Sequence, residues 1–443
     1  MVPGPRGLPL LGSLPDFGKD PLGFLTRLRD HGSLVTWRFG GKLCVFLSEP
    51  DCVGELLIGA EEHFDRAELG VAFRTLLGNG VVVAEGADWR RKRSLVQPSV
   101  RPKQVKAYAS TMVAEAVRAA DGWADGRSIE LRREMSALTQ RVAVRTIFGT
   151  GKDADVDAIG RAMSVAQQEI GAEMSGLGAL LPSWMPTPGR ARVRKAVAVI
   201  DREVARVVAE HRNEGSGRPD LLSRLLVAQD ETGARLTDEE IRDETVTLYI
   251  GGHETTASAL VWAWTLLSAN PDVHASLTRE LDRVLGDREP GFEDYEKLTY
   301  TQAVVKETLR LYPTIWVISG VAREGATVGG RRLPAGTRVW SSPWATHRDP
   351  RWFRDPEEFR PERWAPPEGT EAEEIPEYAW FPFGGGPRVC LGARFAMVEA
   401  VLVLAVLARR FRVDVHPSQL RPAPKLTLQP DREVWATVRG RKG

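Results

Sequence analysis

Four clusters in this 443-residue chain have residue types and spacings suited to chemistry. The first is Phe383-Gly384-Gly385-Gly386-Pro387-Arg388-Val389-Cys390-Leu391-Gly392. It presents a solitary thiol in a glycine-rich loop, two residues after an arginine and just before an apolar helical stretch. Arg388 and a helix start both favour negative charge, so the sulfur should ionise readily. Glycines let backbone N–H groups approach a thiolate without a Cβ in the way. A thiolate held like this is the axial ligand a haem iron needs for work on dioxygen. The competing reading is a structural cysteine buried after a glycine turn.

The second cluster, Gly251-Gly252-His253-Glu254-Thr255-Thr256, interrupts a long apolar helical stretch. Two adjacent glycines there cost about 1–2 kcal/mol relative to alanine. The two threonines can bond back to the preceding turn and bend the helix. The spacing predicts a local widening, a groove able to take a small ligand such as dioxygen, with an acid and an alcohol beside it. The alternative is a kinked core helix with an incidental Glu254. His253-Glu254 also begins like a zinc-protease helix, but that motif needs a second histidine at position 257, which is alanine. The third cluster pairs Glu307 with Arg310 at i,i+3, which alone matches many solvated surface pairs. In the fourth, Trp89 and Arg93 fall on one helix face at i,i+4.

Taken together, the Phe383–Gly392 spacing, the Gly-Gly-His-Glu-Thr-Thr run, the Glu-x-x-Arg helix, Pro361-Glu362-Arg363-Trp364 and Trp-x-x-x-Arg resemble the cytochrome P-450 family. The resemblance runs from the N-terminal segment to the last strand. It implies a mainly α fold with a small β lobe and a haem b group with Cys390 as the iron ligand. Phe383, Gly251 and Gly252 would border that group. Trp89 and Arg93 would hold one haem propionate, with Arg388 also near the propionates. Glu254 and Thr255 would manage proton delivery during dioxygen activation. Glu307, Arg310 and Arg363 would form a structural network bracing the cysteine loop. Many bacterial members carry another propionate arginine on the strand after the Glu-x-x-Arg helix. Here that position is Gly320, with Arg323 three residues on, so the role is not carried over. By family position the substrate pocket would draw on Val82, the 165–190 segment, Thr247, Ile250, Thr314, Ile315, Trp316, Val317 and Leu426–Leu428. The Gly- and Met-rich stretch Ile170–Gly178 has the composition of a mobile lid.

Elements must position these groups. Helical periodicity covers 103–122, 131–149, 156–175, 190–213, 218–229, 237–269, 271–286, 300–311 and 391–410. Thr237 and Asn270 sit where helix caps belong. A hairpin is expected over 33–48 around Gly40-Gly41, and a second β-rich region over 319–342. Pro and Gly punctuate residues 1–20, expected as an extended surface strap. The acidic 366–376 stretch reads as a surface loop, and nearly everything else as helix. The whole is expected as a single domain, 1–443. Its β-rich lobe comes from about 30–50 and 319–342, and its helical core from about 85–310 and 380–412.

Net charge is +1, which gives no global argument for nucleic acid or an anionic membrane. Three cysteines in so long a chain point to a reducing compartment, and Cys44 and Cys52 read as small core residues. No signal-peptide pattern opens the sequence and no run reaches membrane-span length, so a cytoplasmic protein without a membrane anchor is expected. A basic surface of Arg91, Lys92, Arg101, Lys103 and Lys106 would dock an acidic electron carrier. No flavin or nicotinamide fingerprint is present, so the expected partners are a ferredoxin and a ferredoxin reductase drawing on NAD(P)H. The resemblance implies a monooxygenase inserting one atom of dioxygen into a hydrophobic small molecule of terpenoid, polyketide or fatty-acyl type. Two alternatives stay open: a peroxide-driven peroxygenase on the same haem, and a non-enzymatic haem binding or electron-transfer protein.

Overall fold

The computed structural model of the chain describes residues 2–66, 71–149, 153–175, 185–214, 219–367, 369–417 and 420–441. It divides into two compact units. One comprises Met1–Glu68, Gln302–Ala393 and Arg421–Gln429; the other comprises Leu69–Thr301, Arg394–Leu420 and Pro430–Gly443.

The first unit is built on the expected hairpin. Leu34–Phe39 and Lys42–Leu47 pair antiparallel, with Trp37 opposite Cys44 and Val35 opposite Phe46. Gly40 turns the corner at φ +61°, a left-handed conformation that glycine adopts freely. Val2–Pro3, Arg338–Ser341, Ile318–Ala322 and Phe64–Arg66 complete a six-stranded sheet. The second β-rich region is also as expected, with the small pair Thr327–Val328 and Arg331–Arg332 turning at Gly329-Gly330. Val45, Leu47, Val53, Leu56, Phe64, Val339 and Phe381 close the apolar core between this sheet and the helix Pro50–Ile58.

The N-terminal strap differs from expectation. Val2–Pro3 joins the sheet parallel to Leu34–Phe39, and Leu14–Lys19 and Pro21–His31 are helices. The prolines at 15 and 21 fall in first helical turns, where the fixed φ helps and the missing N–H is not needed. Asp20 caps the second helix by accepting from the Gly23 N–H at 2.9 Å.

The second unit is helical, with Pro102–Asp121, Leu131–Phe148, Asp153–Ser175, Pro188–Glu214, Leu221–Val227, Asp238–Ala269, Pro271–Leu285 and Ala393–Arg410 close to their expected positions. The long central helix Asp238–Ala269 opens with a capping box between Thr237 and Glu240. The region after 410 is not helical. Phe411–His416 pairs antiparallel with Trp435–Gly440, and Ser128–Glu130 adds a third strand. Its alternation, with Val413 and Val415 buried between polar neighbours, is the period of a strand. Of the stretch expected as a lid, Ile170–Ser175 continues the helix Asp153–Ser175, and 176–178 lie outside the described residues. The 366–376 stretch has neither helix nor strand among its described residues.

Candidate active site

The cysteine loop lies in the first unit. Gly384 and Gly386 take φ +70° and +61°. A Cβ at Gly386 would fall 2.2 Å from the Leu57 carbonyl oxygen, so no larger residue fits against the helix Pro50–Ile58. The Cys390 N–H donates to the Phe383 carbonyl at 2.9 Å, closing the loop. Cys390 is exposed, whereas Cys44 and Cys52 are buried and desolvation pushes each of their thiols up to about 11. Among the three, Cys390 is therefore the accessible thiol. Arg388 forms an ion pair with Glu61, whose own backbone is left-handed at φ +84°.

Behind the loop stands a desolvated charge network. Glu307 accepts from Arg310 Nη2 at 2.8 Å and Nε at 2.9 Å, from Arg363 Nε at 3.1 Å and from Trp364 Nε1 at 2.9 Å. All three charged side chains are fully buried. Further guanidinium N–H groups donate to the carbonyls of His347, Pro356, Glu358 and Asp355 and to Glu373. Such satisfaction is what a buried ion cluster requires. The network reaches the loop through residues that the sequence does not single out. His347 passes its carbonyl to Arg310 and its Nε2 to the Phe381 N–H at 2.9 Å. Burial, together with the Arg310 and Arg348 cations, keeps its ring neutral. Trp380 packs on Trp364 at 5.0 Å and meets Phe383 edge-on at 6.4 Å. The aromatic content of 380–383 was visible, but no local spacing pairs it with position 347.

The central helix of the second unit holds the other cluster. It runs unbroken through Gly251–Thr256, so the expected widening is not present. The room comes from the glycines themselves: a Cβ built at Gly251 or Gly252 meets nothing within 4 Å. Thr255 Oγ1 donates to the Gly251 carbonyl at 2.5 Å, the back-bond its type suggests. Glu254 is half-buried and accepts from Gln167 Nε2 at 3.1 Å. His253 Nε2 is shared with Ser136, 3.0 Å from its hydroxyl and 3.1 Å from its carbonyl, and burial lowers the imidazole to about 4. It is a packed helix-face residue.

Trp89 and Arg93 share a face of the helix Gly86–Val96, with the guanidinium 5.8 Å from the indole centroid. Arg91 and Lys92 leave the expected basic surface. Arg91 is bound by Asp230 and Glu240 at 3.0 and 2.6 Å, and Lys92 is buried against the Asn79 carbonyl and Asp88. Arg101, Lys103 and Lys106 remain exposed.

The candidate pocket residues fall in both units. In the second, Thr247 and Ile250 lie on the face of the central helix that continues to Gly251 and Glu254. A Cβ at Gly80 would meet Thr247 Oγ1 at 2.2 Å, and Val82 is exposed two residues further on. In the first, Thr314 accepts from the Leu428 N–H at 2.9 Å and Ile315 is exposed. Trp316 is committed to packing, stacked on Phe17 with its indole N–H on the Lys425 carbonyl at 2.9 Å. Within 165–190, residues 176–184 lie outside the described residues.

The cytochrome P-450 family model matches residues 2–434. The chain is 37% identical over 433 residues to cyclooctatin synthase of Streptomyces melanosporofaciens, covering 96% of this chain and 92% of that protein. It is 39% identical to cyclooctat-9-en-7-ol 5-monooxygenase of the same organism, covering 96% and 90%. Pentalenene oxygenase of Streptomyces avermitilis is 32% identical, covering 97% and 95%. The chain belongs to the cytochrome P-450 family. It is accordingly an enzyme, a haem-thiolate monooxygenase.

The residues present fit that group. An accessible thiol sits on a glycine loop with an arginine two residues away, and the helix carrying Glu254 and Thr255 has a strip without Cβ atoms. Among the described residues no helix is long and apolar enough to cross a membrane.

Proposed function

We propose that the chain binds haem b through the Cys390 thiolate and oxygenates a terpenoid-type small molecule in the cytoplasm. Its electrons come from NAD(P)H through a ferredoxin and its reductase. The observation that carries the reading is the exposed Cys390, presented on left-handed glycines in a chain matched to its family over residues 2–434. The substrate class is supported by two relatives named for oxygenating cyclooctat-9-en-7-ol and pentalenene, both olefinic by name.

When bound, haem would supply dioxygen activation and the insertion of one oxygen atom into the substrate. Cys390 gives the thiolate, and the Phe383 carbonyl holds its backbone in place. Trp89, Arg93 and Arg388 supply donors for the two haem carboxylates; arginine's fixed fork suits that task. Gly251 and Gly252 leave space against the central helix. Glu254 draws protons from the solvent side, where Gln167 orients its Oε2. Thr255 Oγ1, held by the Gly251 carbonyl, passes them inward. The network of Glu307, Arg310 and Arg363 keeps the cysteine loop rigid.

The reduced, CO-bound protein should give the red-shifted Soret band of a thiolate haem. Cys390→Ala should lose it, and Cys44→Ala and Cys52→Ala should keep it. An imidazole-type CO spectrum from undenatured wild type would overturn the assignment. Turnover with NAD(P)H, ferredoxin and reductase, set against turnover with peroxide alone, separates the monooxygenase from a peroxygenase.

A further inference from the structure

Glu61 and Arg323 have no task in the reading above, yet both lead to the cysteine loop. Gly386 packs on the last turn of the helix Pro50–Ile58, which brings Arg388 against the turn that follows it, residues 59–64. There Arg388 gives both Nε and Nη2 to a single oxygen, Glu61 Oε1. Glu61 is buried, and at φ +84° its backbone is left-handed, a region sparsely populated by residues with a Cβ. Glycine would turn this corner without strain, so a glutamate there points to a task for its side chain. Arg323, just after the strand Ile318–Ala322, holds the corner in place. It donates Nη1 to the Glu61 carbonyl at 2.8 Å, Nε to Asp65 at 2.7 Å and its backbone N–H to the His63 carbonyl at 2.9 Å.

We propose that Glu61 is a positioning residue for the haem site. It fixes the plane of the Arg388 guanidinium and offsets its charge two residues from Cys390, while Arg323 keeps Glu61 in the conformation this requires. The inference rests on the haem-carboxylate role proposed for Arg388. A guanidinium gripped at two of its three nitrogens cannot swing on its flexible stem, so its fork meets a carboxylate in one orientation. The offset charge matters equally. A lone cation beside a thiolate ligand favours the reduced, more electron-rich haem, whereas a cation paired with a carboxylate adds little net field.

The two parts of the role separate in two variants, read by redox titration and by haem transfer to apomyoglobin. Glu61→Gln keeps an acceptor for Arg388 but removes the charge. Its equilibrium constant for haem reduction should rise about tenfold, an upward shift of about 59 mV for one electron. Its haem release should stay within about twofold of wild type. Glu61→Ala loses the grip as well and should release haem about fivefold faster. Arg323→Met should match that release, and combining it with Glu61→Ala should add nothing, because Arg323 acts through the Glu61 backbone. Asp65→Asn weakens only the other contact of Arg323 and should release haem at the wild-type rate. Glu61→Gln keeps the test decisive if the alanine variant does not fold. An unmoved potential in Glu61→Gln, or additive effects of Glu61→Ala and Arg323→Met, would overturn the proposal. So would a lower Tm as the sole change, the mark of a plain ion pair. If wild type itself lacks the thiolate CO band, the haem reading falls and this role with it; with the band present, failure belongs to the Glu61 assignment alone.

Discussion

At the scale of single residues, burial decides which side chains carry charge around the central helix. Glu244 is fully buried, accepts from the Val81 N–H at 3.1 Å, and is raised by desolvation to about 7. Its neighbour Asp243 accepts from the Asn79 N–H at 2.7 Å. These two carboxyls stitch the Asn79–Val81 backbone, and with it Val82, to the helix. The sign of the stability effect follows. An unfolded glutamate ionises near 4.5, whereas the folded Glu244 holds its proton to about 7. Between those values the folded state binds more protons, so stability falls as pH rises and levels off above 7. The full effect is on the order of 3 kcal/mol. Glu244→Gln cannot ionise and should lack this decline. Denaturant unfolding at pH 5 and pH 8 checks it: an equally steep loss in both proteins would mean that Glu244 ionises normally in the fold.

At the scale of elements, the central helix is continuous where four weak helix formers meet, because neighbouring helices stabilise it. That explains why the sequence located the motif but misjudged its shape. Propensity predicts softness at Gly251-Gly252, while contacts from Ser136 and Gln167, remote in sequence, keep the helix intact. The same limit applies elsewhere. Helices with a clear apolar period, such as Leu131–Phe148, were legible to within a few residues, and so was the Gly40-Gly41 hairpin. The short helices Leu14–Lys19 and Pro21–His31 were hidden behind prolines that mark helix starts as readily as loops. Local spacing singled out Cys390 and Thr255 as candidates, whereas the Glu307–Arg310–Arg363 network was expected from the resemblance. His347 and Trp380 could not be singled out, because their partners lie far away along the chain. A test of the glycine strip follows from its open surroundings. Gly252→Ala meets no atom within 4 Å, so it should stabilise the helix by about 1 kcal/mol. The added methyl intrudes on the space proposed for dioxygen, so turnover should fall while Tm rises. A rise in Tm with unchanged turnover would remove the strip from the mechanism.

For the whole molecule, a net charge of +1 provides no long-range field, so the proposed docking of an acidic electron carrier would rest on a local patch. The structure narrows that patch. Arg91 and Lys92 neutralise Asp230, Glu240 and Asp88, which leaves Arg101, Lys103 and Lys106 at the start of Pro102–Asp121. No acidic residue occupies the first turn of that helix, and its amide dipoles already make this end positive. Three exposed cations there repel one another and gain nothing from the helix, so their placement does not serve the fold. It suits an anionic surface approaching from solution. Lys103→Glu combined with Lys106→Glu should slow reduction by an acidic ferredoxin about tenfold at low salt. The CO spectrum and substrate binding should remain those of wild type. The difference should shrink as ionic strength rises, because exposed charges are screened beyond about 10 Å at 0.1 M salt. Stopped-flow reduction across a salt series measures both, and a rate indifferent to the charge reversal would move the electron entry site elsewhere on the protein.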